Sequence, residues 1–318
     1  MNRIISLLPS STEIICAIGG GERLVGRSHE CDYPSIVANL PICTAPKFDP
    51  DGTSYQIDQR VKAILQEATS VYRVDADQLD ELAPDLLVTQ SQCDVCAVSL
   101  KDVQEAACQL VHSQPTILSL EPNALTDVWH DIERVGTALG MEDNSGTLVT
   151  QLKNRLHKIA TRVRKINYRP RVACIEWFEP LMAAGNWIPE LVEISGGQNL
   201  FTSSGDHSPY LSWEAIEEAQ PDIIILMPCG FTMPRSRNEL PFLTQQPAWF
   251  RLRAVQQEQV FLTDGNQFFN RPGPRLVESA EILAEILHPQ YFGCTHEHIG
   301  WERWKTDKSI SLERNPHV

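Results

Sequence analysis

Residues 144–166 constrain the fold more than any other stretch of the chain. Their apolar side chains fall at Leu148, Leu152, Leu156, Ile159, Val163 and Ile166. These alternating steps of four and three lay one stripe along a face of an α-helix. Asp143, Asn144 and Ser145 offer capping oxygens at its start, and Arg162, Arg164 and Lys165 fall in its last turns, where cations suit the helix dipole. Pro170 ends the pattern, and the apolar run 172–175 restarts the chain. At about 1.5 Å per residue the helix is roughly 35 Å long, enough to cross a domain. A rod of that length in mid-chain is either the centre of a bundle or a strut between two lobes.

An internal repeat favours the strut. Arg3-Ile-Ile-Ser-Leu-Leu is followed by Pro9, Glu13-Ile-Ile and Ile18-Gly-Gly; beyond the helix, Arg171-Val-Ala-Cys-Ile is followed by Pro180, Glu190-Leu-Val and Ser195-Gly-Gly. Leu79-Asp-Glu-Leu-Ala-Pro-Asp-Leu-Leu-Val is echoed by Ala215-Ile-Glu-Glu-Ala-Gln-Pro-Asp-Ile-Ile-Ile. Each half reads strand, loop, helix, Gly-Gly, then helix, Pro-Asp, buried strand. The expected architecture is α/β: two lobes, each with a mainly parallel sheet, joined by one long helix, with a ligand cleft between them. The lobes are assigned to residues 1–142 and 169–288, the linking helix to 143–168, and a polar C-terminal extension without clear period to 289–318.

A chain of 318 residues, 42% apolar, suffices for two cores. No apolar run approaches the eighteen or so residues of a membrane span, so no membrane insertion is expected. The net charge of −14 argues against nucleic acid and anionic membrane as main partners. Nine scattered cysteines do not read as a disulfide framework. Met1-Asn2-Arg3 leads at once into a short strand without an apolar leader, which places the protein in the cytoplasm; a start further upstream would place it in the periplasm.

Open parallel sheets place ligands at the carboxyl ends of their strands. There the first lobe carries His29, Glu30, Cys31, Asp32 and Tyr33 after one strand, and Gln92, Cys93 and Cys96 after another. In the second lobe the corresponding loops hold Glu176, Trp177, Phe178, Trp187, His207, Tyr210, Phe268 and Phe269. Clustered aromatics suit a flat, partly apolar ligand, although two or three of these six rings are expected in the core. Arg271 and Arg275 flank Pro272-Gly-Pro, a rigid turn that either aims a guanidinium at a carboxylate or phosphate or serves as surface charge and helix cap. His29, Cys31, Cys93 and Cys96 form a tentative metal set, suited to zinc, with packed, reduced thiols as the plainer alternative. Cys294, His296 and His298 offer a second metal clamp, with a solvated tail as the favoured reading. No nucleophile elbow, zincin or phosphate-loop motif occurs, so no catalytic set stands out.

The opening Arg3-Ile-Ile-Ser-Leu-Leu-Pro-Ser-Ser-Thr-Glu and Leu24-Val-Gly-Arg-Ser-His-Glu-Cys-Asp-Tyr-Pro resemble vitamin B12-binding proteins, within the helix-linked class of ABC-importer substrate-binding proteins. Leu82-Ala-Pro-Asp-Leu-Leu-Val-Thr, Ile194-Ser-Gly-Gly-Gln-Asn-Leu-Phe and Gln220-Pro-Asp-Ile-Ile-Ile extend the resemblance over nearly all of residues 1–288. It implies lobes nearly rigid about the linking helix and a bound cobalamin, other corrinoid or related metal chelate, with no required cofactor. An ABC transporter permease is an implied partner if the protein is exported, met through acids such as Asp80 and Glu81 in one lobe and Glu214, Glu217 and Glu218 in the other. Without a leader the chain looks closer to a branch that meets no transporter. A cytoplasmic thiol- or metal-dependent enzyme, or a metal-ion receptor, using the His29/Cys31/Cys93/Cys96 edge is the alternative.

Overall fold

The apolar runs Ile4-Ile5 and Leu86-Leu87-Val88 lie side by side, Ile4 opposite Leu86 and Ile5 opposite Leu87, all fully buried. Strands covered on both faces need such continuous apolar sequence. The computed structural model describes residues 1–66, 70–91 and 99–305, and these fall into two units. The first comprises Met1–Arg155 with Arg271–Val277; the second comprises Leu156–Asn270 with Glu278–Val318.

In the first unit the elements are β1 (Ile4–Ser6), α1 (Pro9–Ala17), β2 (Leu24–Arg27), β3 (Thr44–Pro46), α2 (Ser54–Leu65), β4 (Tyr72–Val74), α3 (Ala76–Leu82), β5 (Leu86–Gln90), α4 (Leu100–Ala107), β6 (Thr116–Leu120) and α5 (Leu125–Leu139). Four strands make a parallel sheet in the order β2-β1-β5-β6. The small antiparallel pair β3-β4 stands apart from it. Thr53 and Gln56 close a capping box at the start of α2. Along α5, Leu125, Val128, Ile132, Val135 and Leu139 are buried at helical spacing.

Helix α6 (Glu142–Val163) carries the stripe that dominates the sequence. Leu152, Leu156, Ile159 and Val163 are buried as expected, while Val149 takes the buried place expected of Leu148. The helix starts two residues early because its first turn is acidic, Glu142 and Asp143, which suits the positive end of the dipole. Asn144 and Ser145 are therefore not caps: Asn144 donates to the Ile18 carbonyl and Ser145 to that of Glu142. Gly136 on α5 lets the two helices close, since a Cβ there would lie 2.1 Å from Ser145 Oγ. The division between the units falls within α6, after Arg155.

The second unit holds β7 (Arg171–Trp177), β8 (Met182–Ala183), α7 (Ile188–Ile194), β9 (Gln198–Asn199), α8 (Trp213–Ala219), β10 (Ile223–Leu226), α9 (Met233–Thr244), α10 (Arg253–Gln256), β11 (Val260–Thr263), most of α11 (Leu276–Leu287), α12 (Pro289–Phe292) and β12 (Trp301–Trp304). Its sheet runs β12-β11-β10-β7-β8, with β9 also on β7; β7, β9, β10 and β11 are parallel, and β8 and β12 antiparallel. Residues 289–304 are not a formless tail. Trp301 is buried on Phe261, and Glu285 accepts from Thr295 N, His296 N, His296 Nδ1 and Trp301 Nε1 at 2.9–3.0 Å. A four-residue strand is too short to show its period in sequence.

The sequence repeat extends to individual hydrogen bonds. Helices α3 and α8 both end on a left-handed residue, Ala83 and Gln220, each at φ 42°. The Pro-Asp that follows does the same work twice. Asp85 Oδ2 accepts from Arg3 N (3.1 Å) while Asp85 N donates to Arg3 O; Asp222 Oδ2 accepts from Arg171 N (2.9 Å) while Asp222 N donates to Arg171 O. Each aspartate thus clamps the start of its unit's first strand to the neighbouring strand.

Candidate ligand-binding site

In the first unit, the carboxyl ends of β1 and β2 converge on a buried hydroxyl chain. Ser6 Oγ lies 2.5 Å from Ser11 Oγ, Thr12 Oγ1 donates to Ser6 Oγ (2.7 Å), and it also lies 3.0 Å from Cys31 Sγ. Burial pushes the Cys31 thiol up to about 11, so it is a protonated, packed group at neutral pH. Beside it His29 Nδ1 sits 2.7 Å from Thr44 Oγ1, and its ring tilts on Tyr72 at 5.2 Å. Burial lowers the His29 pKa, with Arg27 adding to the effect. Tyr72 donates its hydroxyl to Glu30 Oε1 (3.1 Å), and burial raises the Glu30 carboxyl above its usual range.

Arg271 and Arg275 belong to this unit, and both are buried. The carboxylates they meet are the protein's own. Arg275 donates to both oxygens of Glu13 at 2.6 and 2.8 Å; Arg271 reaches Glu13 at 3.3 Å and Asp32 at 2.6 and 3.1 Å. This corrects the alternative of surface charge. Glu13 is 3% exposed, on the stretch of α1 where Ser10 to Ile15 are all buried. A lone acid on so buried a helix needs a cation, and that was the signal available in the sequence. Arg275 also stacks on the Tyr33 ring at 4.2 Å, and Tyr33 remains 49% exposed. The locked guanidinium thus props an aromatic ring at the surface.

In the second unit the end of β7 presents Glu176 and Trp177. Ser208 donates to Glu176 Oε2 (2.9 Å) and accepts from Gly185 N (3.1 Å). Burial pushes the Glu176 carboxyl up to about 7. Asn186 N donates to Asp206 O (2.6 Å) and Ala183 N to Pro209 O (3.0 Å), so the loop that exposes His207 and Tyr210 is pinned on both flanks. Gly185 permits this: a Cβ there would lie 2.4 Å from Asp206 O. Trp177 is half-buried, its indole N–H on Glu179 O (3.1 Å) and its ring edge-on to Phe231, over which Arg235 stacks at 4.0 Å. After β11, Asp264 accepts from Asn266 N and Gln267 N, while Asn270 bridges Met227 O and Gly265 O.

Of the six aromatics expected at these loops, four are core rather than two or three: Phe178, Trp187, Phe268 and Phe269 are buried, with Trp187 donating to Phe269 O at 2.6 Å. Only Trp177 and Tyr210 present surface, Tyr210 at 63%. Gln92, Cys93 and Cys96 lie outside the described residues. Among the described residues no group of three His, Cys, Asp or Glu side chains is arranged to hold a metal, and the donor atoms His29 Nδ1 and Cys31 Sγ already engage Thr44 and Thr12. Of the surface acids, Asp80 accepts from Val111 N, His112 N and His112 Nδ1, and Glu217 pairs with Arg251; Glu81, Glu214 and Glu218 are exposed.

The chain is 23% identical over 299 residues to an uncharacterized ABC transporter substrate-binding lipoprotein of Bacillus subtilis, covering 91% of this chain and 81% of that one. It is 24% identical over 291 residues to a vitamin B12-binding protein of Vibrio cholerae, covering 90% and 88%. Among solved structures, a periplasmic heme binding protein from Pseudomonas aeruginosa superposes with a TM-score of 0.69 at 19% identity, over 91% of this chain and 94% of that one. The periplasmic vitamin B12 binding protein of Vibrio cholerae gives 0.64 at 21%, over 90% and 96%. Both structures share the α/β fold. The sequence profile of the periplasmic binding protein family matches residues 4–266, and the chain belongs to that family.

Proposed function

We propose that the protein binds a metal chelate with a broad flat face, a corrinoid or a tetrapyrrole, as the substrate-binding component of an ABC importer. The observation that carries this reading is the pair of aromatic rims at the carboxyl ends of the parallel strands. In one unit Tyr33 is propped on Arg275; in the other Trp177 and Tyr210 stand beside the pinned loop of His207. Exposed rings on rigid supports suit a large conjugated ligand, because little side-chain entropy is lost when it docks. The names of the relatives, vitamin B12-binding and heme binding, support the same ligand class. His29, Glu30 and Asp32 are the candidate polar contacts at the first unit's rim, and Glu176 and His207 those at the second's. The exposed acids Glu81, Glu214 and Glu218 are the candidates for contact with a permease.

The thiol-enzyme alternative draws little support from Cys31, whose buried, protonated sulfur is a poor nucleophile. Native mass spectrometry of protein purified from its source, with a visible absorption spectrum, tests the proposal. A retained, coloured, metal-bearing adduct of one molecule per chain is expected. A colourless, metal-free adduct such as a sugar or amino acid would overturn it.

A further inference from the structure

The overall acidity conceals one strongly basic segment. Eight of the 27 Lys and Arg residues fall within residues 153–171, which contain no Asp or Glu; the rest of the chain sets 19 cations against 41 anions. From Leu156 onward the segment lies in the second unit, as the latter part of α6 and the turn leading to β7. Leu156, Ile159 and Val163 face inward, whereas Lys158, Arg162, Arg164, Lys165, Tyr168 and Arg169 are exposed. Lys158, Arg164 and Lys165 meet no carboxylate among the described residues. The acid felt by Tyr168 is Asp222, which Arg253 holds at 2.7 Å.

The helix dipole explains only part of this. Its attraction for cations falls off within the last turn, yet Lys158 lies more than a turn before the end of α6 and Arg169 lies beyond it. Packing accounts only for Arg162, whose guanidinium stacks on the Phe292 ring at 4.9 Å; Lys158, Arg164, Lys165 and Arg169 are exposed. We propose that this face, Lys158, Arg162, Arg164, Lys165 and Arg169 with Tyr168, docks the protein on an anionic lipid surface.

Three features favour lipid over other polyanions. The cations lie on the outer face of the last turns of α6 and on the short turn that follows it, a compact convex patch that meets a plane more readily than it wraps a duplex. Tyr168 is 58% exposed among them, and an aromatic ring with cations is suited to the headgroup layer. The remaining chain is strongly acidic and repels a long polyanion such as nucleic acid lying along it, whereas a planar surface need touch only the patch; acids beyond about 8 Å are screened at physiological salt. No helix among the described residues is long and apolar enough to cross a membrane, so the contact is peripheral. The net charge of −14 that argues against an anionic membrane averages over this patch. The inference does not depend on the chelate or on the importer.

Each cation brought to an anionic leaflet strengthens partitioning about fivefold. Co-sedimentation of the full chain with vesicles of phosphatidylcholine, with and without one third phosphatidylglycerol, at low and physiological salt, tests the proposal. Binding is expected only to the anionic vesicles and should weaken as salt rises. The triple variant Lys158→Glu, Arg164→Glu, Lys165→Glu should lose at least about a hundredfold, with its unfolding transition unchanged. Should that variant fold poorly, the triple glutamine variant serves in its place and should lose about a hundredfold. Equal binding to neutral vesicles, no binding to anionic ones, or variant binding like the original would overturn the proposal. So would patch-dependent self-association in sedimentation velocity, or patch-dependent DNA binding by anisotropy, without vesicle binding.

Discussion

Removing the Glu13 charge tests whether the first unit is built around its buried ion cluster. Glu13 is 3% exposed and accepts three bonds from Arg275 and Arg271, themselves 8% and 7% exposed. Breaking a buried pair from one side strands the partner charge and costs about 3–5 kcal/mol. Glu13→Gln keeps the shape and one donor-acceptor pair, so a loss near 3 kcal/mol is expected. Asp32 reaches the same Arg271, but its side chain is 52% exposed; solvent takes over when its charge is removed, so Asp32→Asn should cost no more than about 1 kcal/mol. Glu13→Leu combined with Arg275→Met strands less charge and should cost less than Glu13→Gln alone. Urea unfolding followed by far-UV circular dichroism measures all four chains. If Glu13→Gln costs under about 1 kcal/mol, or no more than Asp32→Asn, the cluster does not organise the unit.

Three further outcomes are expected. Glu176 titrates near 7 when folded and near 4.5 when unfolded, so between those values the folded state holds more protons and stability falls as pH rises, by up to about 3 kcal/mol, levelling off above 7; Glu176→Gln should flatten that slope in urea melts from pH 4.5 to 8, and an unchanged slope would assign it elsewhere. Gly185→Ala drives a Cβ to within 2.4 Å of Asp206 O and should displace the His207–Tyr210 loop, costing about 1–3 kcal/mol and weakening chelate binding in a fluorescence titration; unaltered affinity would remove that loop from the site. Trp187→Phe deletes the buried bond to Phe269 O and should cost about 1–3 kcal/mol, whereas a neutral effect would mean that a water replaces the indole.

The fold was largely legible because its repeat is written in strong signals. Gly-Gly and Pro-Asp recur in order, and the apolar stripe from Leu148 to Ile166 runs for about five turns. The Pro-Asp pair is common enough to carry little weight alone, but Asp85 and Asp222 turn out to make matching clamps on Arg3 and Arg171. Strand β12 was missed: its partner β11 lies some forty residues back, and Trp301-Glu-Arg-Trp304 is too short for a period to emerge. The site was less legible. Sequence places residues at strand ends but does not say which way they face, so Phe178, Phe268 and Phe269 looked like rim and are core. Arg271 and Arg275 looked like ligands for an outside anion because their partner Glu13 lies more than 250 residues earlier. Distance along the chain, not ambiguity of chemistry, hid that contact.

Isothermal titration calorimetry against cyanocobalamin, haemin and a ferric siderophore, with an amino acid and a sugar as controls, tests the central claim most directly. The account predicts one site per chain for cyanocobalamin or haemin, with Kd at or below about 1 μM, near −8 kcal/mol, and no binding of either control. Saturable binding of a control with none of the chelates, or no heat from any chelate at tens of micromolar protein, would contradict it.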